Sequence, residues 1–281
     1  MPSGLATPFY FDSETLRAQA RRRADGYRTA WPFPHAVIDD LVPLEVARAC
    51  EAEFEQTSRE HWQLYTDEGN TRKLEFSDER GMGPLTRQLI AQFNGRAMID
   101  FLEELTGIPG LVGDPHLLGG GLHELGPGGF LRIHADFNVH PQLRLDRRIN
   151  LLLYLNDGWD AGWGGELELW DGEMRLRADP ITPVLGRVVI FNVTDRSYHG
   201  NPSVVACPPD RARRSMAFYY YSNGRPADER SAEHSTLYQT PGQAPVTSDS
   251  RAWPWAARAR HAAKDWVPPA LVRSLNRARR Q

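Results

Sequence analysis

His134 and Asp136 stand two apart in the run FLRIHAD, residues 130–136. If that run is a strand, period-two alternation puts both side chains on one face and Ala135 on the other. An imidazole and a carboxylate side by side are two ligands for one metal ion. A third ligand must come from elsewhere in the chain. His199 is the natural candidate: it follows the apolar run RVVIFNV (187–193) inside the turn-like DRSYHGNP. His116, His123 and His140 compete as imidazoles, and a lone HxD pair is a weak signal, so the assignment rests on what else falls in order along the chain.

Two His and one carboxylate on one face of a metal leave its other positions open, the donor set of Fe(II) sites that activate O2. The next feature is Arg214, which opens the strand-like run RSMAFYYY. At the start of a barrel strand it can point inward with Met216, Phe218 and Tyr220, which share its parity. A buried guanidinium costs several kcal/mol unless it is paired, so Arg214 implies an anionic partner such as the carboxylate of a dicarboxylate cosubstrate. A shift of one residue would put Arg213 inward instead. Tyr154 supplies a second contact: in INLLLYLN (149–156) it shares a face with Asn150 and Leu152, and a phenol on an apolar face needs a hydrogen-bond partner.

These residues need a scaffold, and the chain divides into three parts. Residues 1–112 read as a mainly helical support layer. Glu14 to Arg23 is a polar helix ended by Asp25-Gly26, Pro34 to Leu41 a short strand and turn, and Pro43 opens a helix running through EVARACEAEFEQ. Helices also fit Met82 to Phe93 and Arg96 to Thr106, the second closed by Gly107. Residues 113–225 fall into short β-like runs punctuated by Gly, Pro, Asn and Asp: 122–125, 130–136, 149–156, 166–170, 187–193 and 213–221. That spacing predicts an antiparallel barrel or jelly roll. The expected class is therefore α+β with a mainly β core, a double-stranded β-helix backed by N-terminal helices. Residues 226–281 form a C-terminal extension ending in a basic, Trp-containing helix.

Composition narrows the chemistry. The chain has 281 residues, two Cys and nine His. Cys50 and Cys207 could make at most one disulfide, and two thiols cannot build a Cys-rich zinc or iron–sulfur site. Any metal must rest on His and carboxylates. The net charge of −3 averages an acidic body and a tail: residues 251–281 hold eight basic residues against Asp265 alone, a local +7. The overall balance gives no general case for nucleic-acid binding. No stretch approaches the ~20 apolar residues of a membrane span, and the N-terminus lacks the apolar core of a secretory signal. A cytoplasmic location is expected.

Taken as an ordered set, HxD at 134–136, YLN at 154–156, GGELELW at 164–170, a strand ending before His199 and Arg214 before an aromatic strand resemble the 2-oxoglutarate- and Fe(II)-dependent dioxygenases. The likeness is to their prolyl-4-hydroxylase-like branch and covers roughly residues 113–225. It implies that His134, Asp136 and His199 hold Fe(II), while Arg214 and Tyr154 bind the distal carboxylate of 2-oxoglutarate. It further implies O2 as second cosubstrate and ascorbate as an auxiliary reductant that such enzymes can use. The reaction implied is hydroxylation of an unactivated C–H in a prolyl/peptide or small-metabolite substrate, releasing succinate and CO2. Asp136 occupies the position that a halogenating enzyme would vacate. Two departures stand out: His199 and Arg214 are fifteen positions apart, longer than usual in that branch, and the tyrosine often found before HxD is absent, with Phe130 and Leu131 there.

Substrate contacts are less defined. Asn150, Asn138 and Trp163 are candidates; Trp163 lies with Trp159 on the Gly-rich loop DGWDAGWGG (157–165), which suits a lid or a rigid corner. Two other functions fit part of the pattern. A zinc hydrolase could use the same His134, Asp136 and His199, with Glu124 the nearest candidate base. A noncatalytic jelly-roll binding module would keep only the fold.

Overall fold

A computed structural model describes residues 9–66 and 70–246. The basic tail expected to form a helix lies outside the described residues. Four helices, α1 (Ser13–Thr29), α2 (Leu44–Gln56), α3 (Pro84–Phe93) and α4 (Arg96–Thr106), pack on an eleven-stranded antiparallel system. Its strands are β1 (His35–Ile38), β2 (Gln63–Tyr65), β3 (Asn70–Phe76), β4 (Val112–Gly113), β5 (Gly121–Ala135), β6 (Asp146–Tyr154), β7 (Glu168–Trp170), β8 (Val188–Asn192), β9 (Tyr198–Asn201), β10 (Arg213–Ser222) and β11 (Leu237–Tyr238).

The main path runs β1-β8-β6-β10-β5-β3-β2. The first half of β5 pairs with β10, its second half pairs with β9 and β11, and β3 pairs along both, from Leu122 to Leu131. One fifteen-residue strand thus belongs to both layers, which is how a sheet closes into a double-stranded β-helix. Gly126 to Gly129 does not separate two strands as its composition suggests. It lets the strand bend, with the ladder shifting register on both sides.

Both faces of the main sheet are buried. Leu122, Ile149, Leu151, Leu153, Met216, Phe218 and Tyr220 pack with Phe54, Leu89, Phe93 and Leu102 of the helices in one core. Phe93 stacks on Phe218 with centroids 4.3 Å apart. The alternate residues of β6 and β10 face the barrel interior, where the polar side chains collect.

Two elements depart from the sequence reading. Helix α1 continues past Asp25-Gly26 to Thr29, because Ala24 and Tyr27 extend the buried stripe of Leu16 and Ala20. Burial of Tyr27, whose hydroxyl meets Asn192 Oδ1 at 2.6 Å, outweighs the ~1 kcal/mol that a helical Gly costs. The hairpin β2–β3 is also unforeseen: Lys73 and Glu75 are polar at positions that face the interior, which hides the strand pattern.

Candidate active site

His134 and His199 are directly opposite each other on β5 and β9, with ring centroids 4.4 Å apart. Gly200 makes this approach feasible: a Cβ there would lie 2.7 Å from the Arg132 carbonyl oxygen. Each imidazole uses Nδ1 to hydrogen-bond a backbone carbonyl two residues back, Arg132 O and Ser197 O, both at 2.9 Å. A carbonyl only accepts, so the proton sits on Nδ1 and both Nε2 lone pairs are free. Asp136 Oδ1 is 3.5 Å from His134 Nε2, and Oδ2 is 3.5 Å from His199 Nε2. Among the described residues this is the single group of three such side chains whose donor atoms all lie within 4.8 Å of one another. Burial and the neighbouring imidazole hold the His199 pKa at about 4, so the ring is neutral at pH 7. Three converging N and O donors with a preset tautomer suit a divalent first-row metal.

The carboxylate has its own support. Asn150 Nδ2 donates to Asp136 Oδ2 at 2.7 Å, and Arg147 Nη2 lies 3.1 Å from the same oxygen. Arg147 also donates to Asn150 Oδ1 through Nε and Nη2. Its guanidinium lies over the Tyr219 ring at 3.5 Å and the Phe137 ring at 4.4 Å. Burial alone would raise the Asp136 pKa. The positive charge of Arg147, with smaller contributions from His199 and the hydrogen bond of His134, outweighs burial, and the carboxyl is held well below its ordinary range. Asn150, expected to touch substrate, is thus committed to orienting the Asp136 carboxylate. Arg147 was not foreseen: a β-bulge opposite Tyr220 and Tyr221 turns it inward against its parity.

The expected anchor Arg214 faces the other way. Its Nε lies 3.0 Å from Glu124 Oε2 and its Nη1 2.7 Å from Glu55 Oε1, tying β10 to α2. Glu124 also accepts both Nη atoms of Arg59. The error came from parity: Met216, Phe218 and Tyr220 do share the face of Arg214, but that face packs against the helices. Glu124 lies there too, so the base suggested for a zinc hydrolase is on the wrong side of the sheet.

Arg213 is the inward residue. It is 6% exposed, donates through Nε to Gly165 O at 2.6 Å and through Nη2 to Tyr154 OH at 3.2 Å. Among the described residues no carboxylate pairs with it. Gly165, at φ +74°, permits the fit, since a Cβ there would lie 3.0 Å from Arg213 Cδ. Arg213, Tyr154 and the triad share one interior region: the cavity of about 80 Å³ is lined by the triad together with Arg213, Asn150, Ser215, His123 and Lys73. Among the described residues, two further buried polar atoms on its wall, His123 Nε2 and Asn201 Nδ2, have no hydrogen-bond partner. A buried cation without a counter-ion, beside orphaned polar atoms, fits a small dianion.

The remaining candidates lie elsewhere. Asn138 is buried, but its amide holds Ser231 Oγ, Ala232 O and the His234 N–H. Trp163 packs with Trp159, Leu125, Val205 and Cys207, away from His134, Asp136 and His199. The loop 157–165 is a closed corner, its two Trp rings edge-on at 5.2 Å. No helix among the described residues is long and apolar enough to cross a membrane.

Comparison with known proteins agrees with this geometry. Residues 120–221 match the sequence model of the 2OG-Fe(II) oxygenase superfamily. No curated protein matches the chain. Among solved structures, a Pseudomonas putida prolyl-4-hydroxylase superposes with a TM-score of 0.52 at 18% identity, covering 73% of this chain and all of that one. A prolyl 4-hydroxylase from Phytophthora capsici gives 0.51 at 21% identity, over 79% of this chain and 69% of that one. HygX from Streptomyces hygroscopicus, solved with nickel, 2-oxoglutarate and hygromycin B, gives 0.51 at 13%, over 83% and 99%. Segment 120–221, which matches the 2OG-Fe(II) oxygenase superfamily model, carries His134, Asp136, His199, Arg213 and Tyr154, and the chain shares the double-stranded β-helix fold of the prolyl-4-hydroxylases.

Proposed function

We propose that the enzyme hydroxylates an unactivated C–H of a prolyl/peptide or small-metabolite substrate. One O2 and one 2-oxoglutarate are consumed; one oxygen atom enters the substrate and the other enters succinate, with loss of CO2. His134 Nε2, Asp136 and His199 Nε2 would hold Fe(II). Bound there, the metal supplies the electrons that activate O2.

The protein's part is positioning and exclusion. Arg213 offers its guanidinium to the distal carboxylate of 2-oxoglutarate, and the Tyr154 hydroxyl, already in contact with Arg213, donates to the same group. Asn150 and Arg147 fix the Asp136 carboxylate so that only one geometry faces the metal. Leu152, Leu167 and Phe191 supply the apolar part of the wall of this narrow cavity. The observation that carries the reading is the buried, uncompensated Arg213 on the wall of the cavity that holds the triad.

Anaerobic addition of Fe(II) and 2-oxoglutarate is expected to give a weak visible charge-transfer band. His134→Ala or His199→Ala abolishes it, and aerobic incubation releases succinate. Absence of the band, with stoichiometric zinc in the purified protein, would favour a hydrolase.

A further inference from the structure

Beside the metal cavity lies a second, larger one of about 330 Å³. Its walls are Glu75 of β3, Ser77 just beyond it, Leu118, Phe137, and Ser235 and Thr236 from the segment leading into β11. It borders the metal centre on three counts. Phe137 follows the ligand Asp136. Ser235 and Thr236 precede Leu237 and Tyr238, which pair with Ala135 and His134. Glu75 Oε2 is 3.3 Å from Lys73 Nζ and 3.7 Å from His123 Nε2, and both of those residues line the metal cavity.

The two cavities differ in charge. Lys73 and Arg213 line the metal cavity, whereas no Lys or Arg lines the larger one and its single carboxylate is Glu75, 7% exposed. Among the described residues Glu75 Oε1 accepts no hydrogen bond; Lys73 engages Oε2 alone. Lys73 lines the metal cavity, so a dianion seated there would compete with Glu75 for its ammonium. Leu118, Phe137, Val139 and Pro141 supply an apolar bed of ring size, and Ser77, Ser235 and Thr236 supply hydroxyls.

Building on the 2-oxoglutarate oxygenase reading above, we propose that this cavity is the substrate site and that it takes a small amine-bearing cation whose ammonium pairs with Glu75. Charge keeps the two ligands apart: the dianion goes to Arg213, the cation to Glu75. Acidic substrates are rejected because their carboxylate would face Glu75 without a counter-ion.

The test uses Mn(II)-loaded protein with 2-oxoglutarate and three matched probes: cyclohexylmethylamine, cyclohexylmethanol and cyclohexanecarboxylate. Paramagnetic relaxation of the probe protons reports both binding and nearness to the metal. The amine is expected to bind at least about tenfold more tightly than the alcohol, the scale of one charge-assisted hydrogen bond, and the acid most weakly. Glu75→Gln should bring the amine down to the level of the alcohol. Ser235→Trp, which fills the cavity from its wall, should abolish relaxation of all three probes while Mn(II) and 2-oxoglutarate still bind. Equal binding of amine and acid, an unchanged order in Glu75→Gln, or undiminished relaxation in Ser235→Trp overturns the proposal. Failure of Mn(II) to enhance water relaxation in the wild-type protein would instead remove the metal reading, and this inference with it.

Discussion

Replacing Arg213 by Gln and, separately, Arg214 by Gln separates cosubstrate binding from scaffold stability at adjacent residues. Arg213 is buried and has no carboxylate partner among the described residues, so its charge is free for a ligand. A guanidinium fork on a carboxylate makes two charge-assisted hydrogen bonds of ~1.5–3 kcal/mol each. Such terms do not add fully, so a loss of about 3–4 kcal/mol is expected, or about 10²–10³-fold in the Kd of 2-oxoglutarate. Arg213→Lys keeps the charge but not the fork and should fall between. Arg214→Gln removes contacts to Glu124 and Glu55 instead. The Glu55 side chain is 59% exposed, so that pair contributes little, and Arg59 still holds Glu124. About 1–2 kcal/mol of stability should be lost, with 2-oxoglutarate affinity unchanged. Calorimetric titration of 2-oxoglutarate into Mn(II)-loaded protein, with thermal melts of each variant, reads both quantities. A larger affinity loss in Arg214→Gln than in Arg213→Gln would refute the inward assignment of Arg213.

Other perturbations follow from the same contacts. Asn150→Ala frees the Asp136 carboxylate from its 2.7 Å anchor; metal affinity should fall about 10–100-fold, as losses of such supporting bonds usually do, measured by competition with a chelator. Gly200→Ala forces a methyl against the backbone of Leu131 and Arg132 on the paired strand β5. It should cost about 1–3 kcal/mol, read as a fall in Tm together with weaker metal binding. The segment 231–238 should respond to pH through His234 and Asp195, whose Nε2 and Oδ1 are 2.9 Å apart. Burial alone would lower the His234 pKa, but the Asp195 hydrogen bond raises it, against the nearby charge of Arg225. Burial alone would raise the Asp195 pKa, but the His234 hydrogen bond lowers it. His234 therefore contributes fully below its unfolded pKa of ~6.5 and loses that contribution as pH rises through its raised folded value. Asp195 contributes above ~3.9 and loses it as pH falls through its lowered value. Amide exchange of 231–238, corrected for intrinsic rates, should be slowest between those limits and faster at pH 8.5, with the high-pH change absent in His234→Gln.

The convergence of His134, Asp136 and His199 was legible because HxD on a strand fixes its own geometry, and His199 was the imidazole in the right order. Its place opposite His134 depended on Gly200, whose purpose no local pattern reveals. Tyr154 and Asn150 were legible from alternation along β6. Arg213 was legible only as the alternative to Arg214: both faces of β10 are buried, so apolar residues at 216, 218 and 220 mark a buried face without saying which layer covers it. The nearby carboxylates that settle the matter, Glu55 and Glu124, come from other elements. Arg147 was hidden by a bulge, which a period-two reading cannot register. The polar faces of β2 and β3 concealed a hairpin for the reason that makes it useful, since Lys73 and Glu75 line cavities rather than a core.

The most direct test of the account is a crystal structure of the anaerobic protein with Fe(II) and 2-oxoglutarate, the metal located by anomalous scattering. The expected result is one iron bonded to His134 Nε2, Asp136 and His199 Nε2, with the distal carboxylate of 2-oxoglutarate on Arg213 and Tyr154. Iron bound elsewhere, or a cosubstrate carboxylate resting on Arg214, would contradict it.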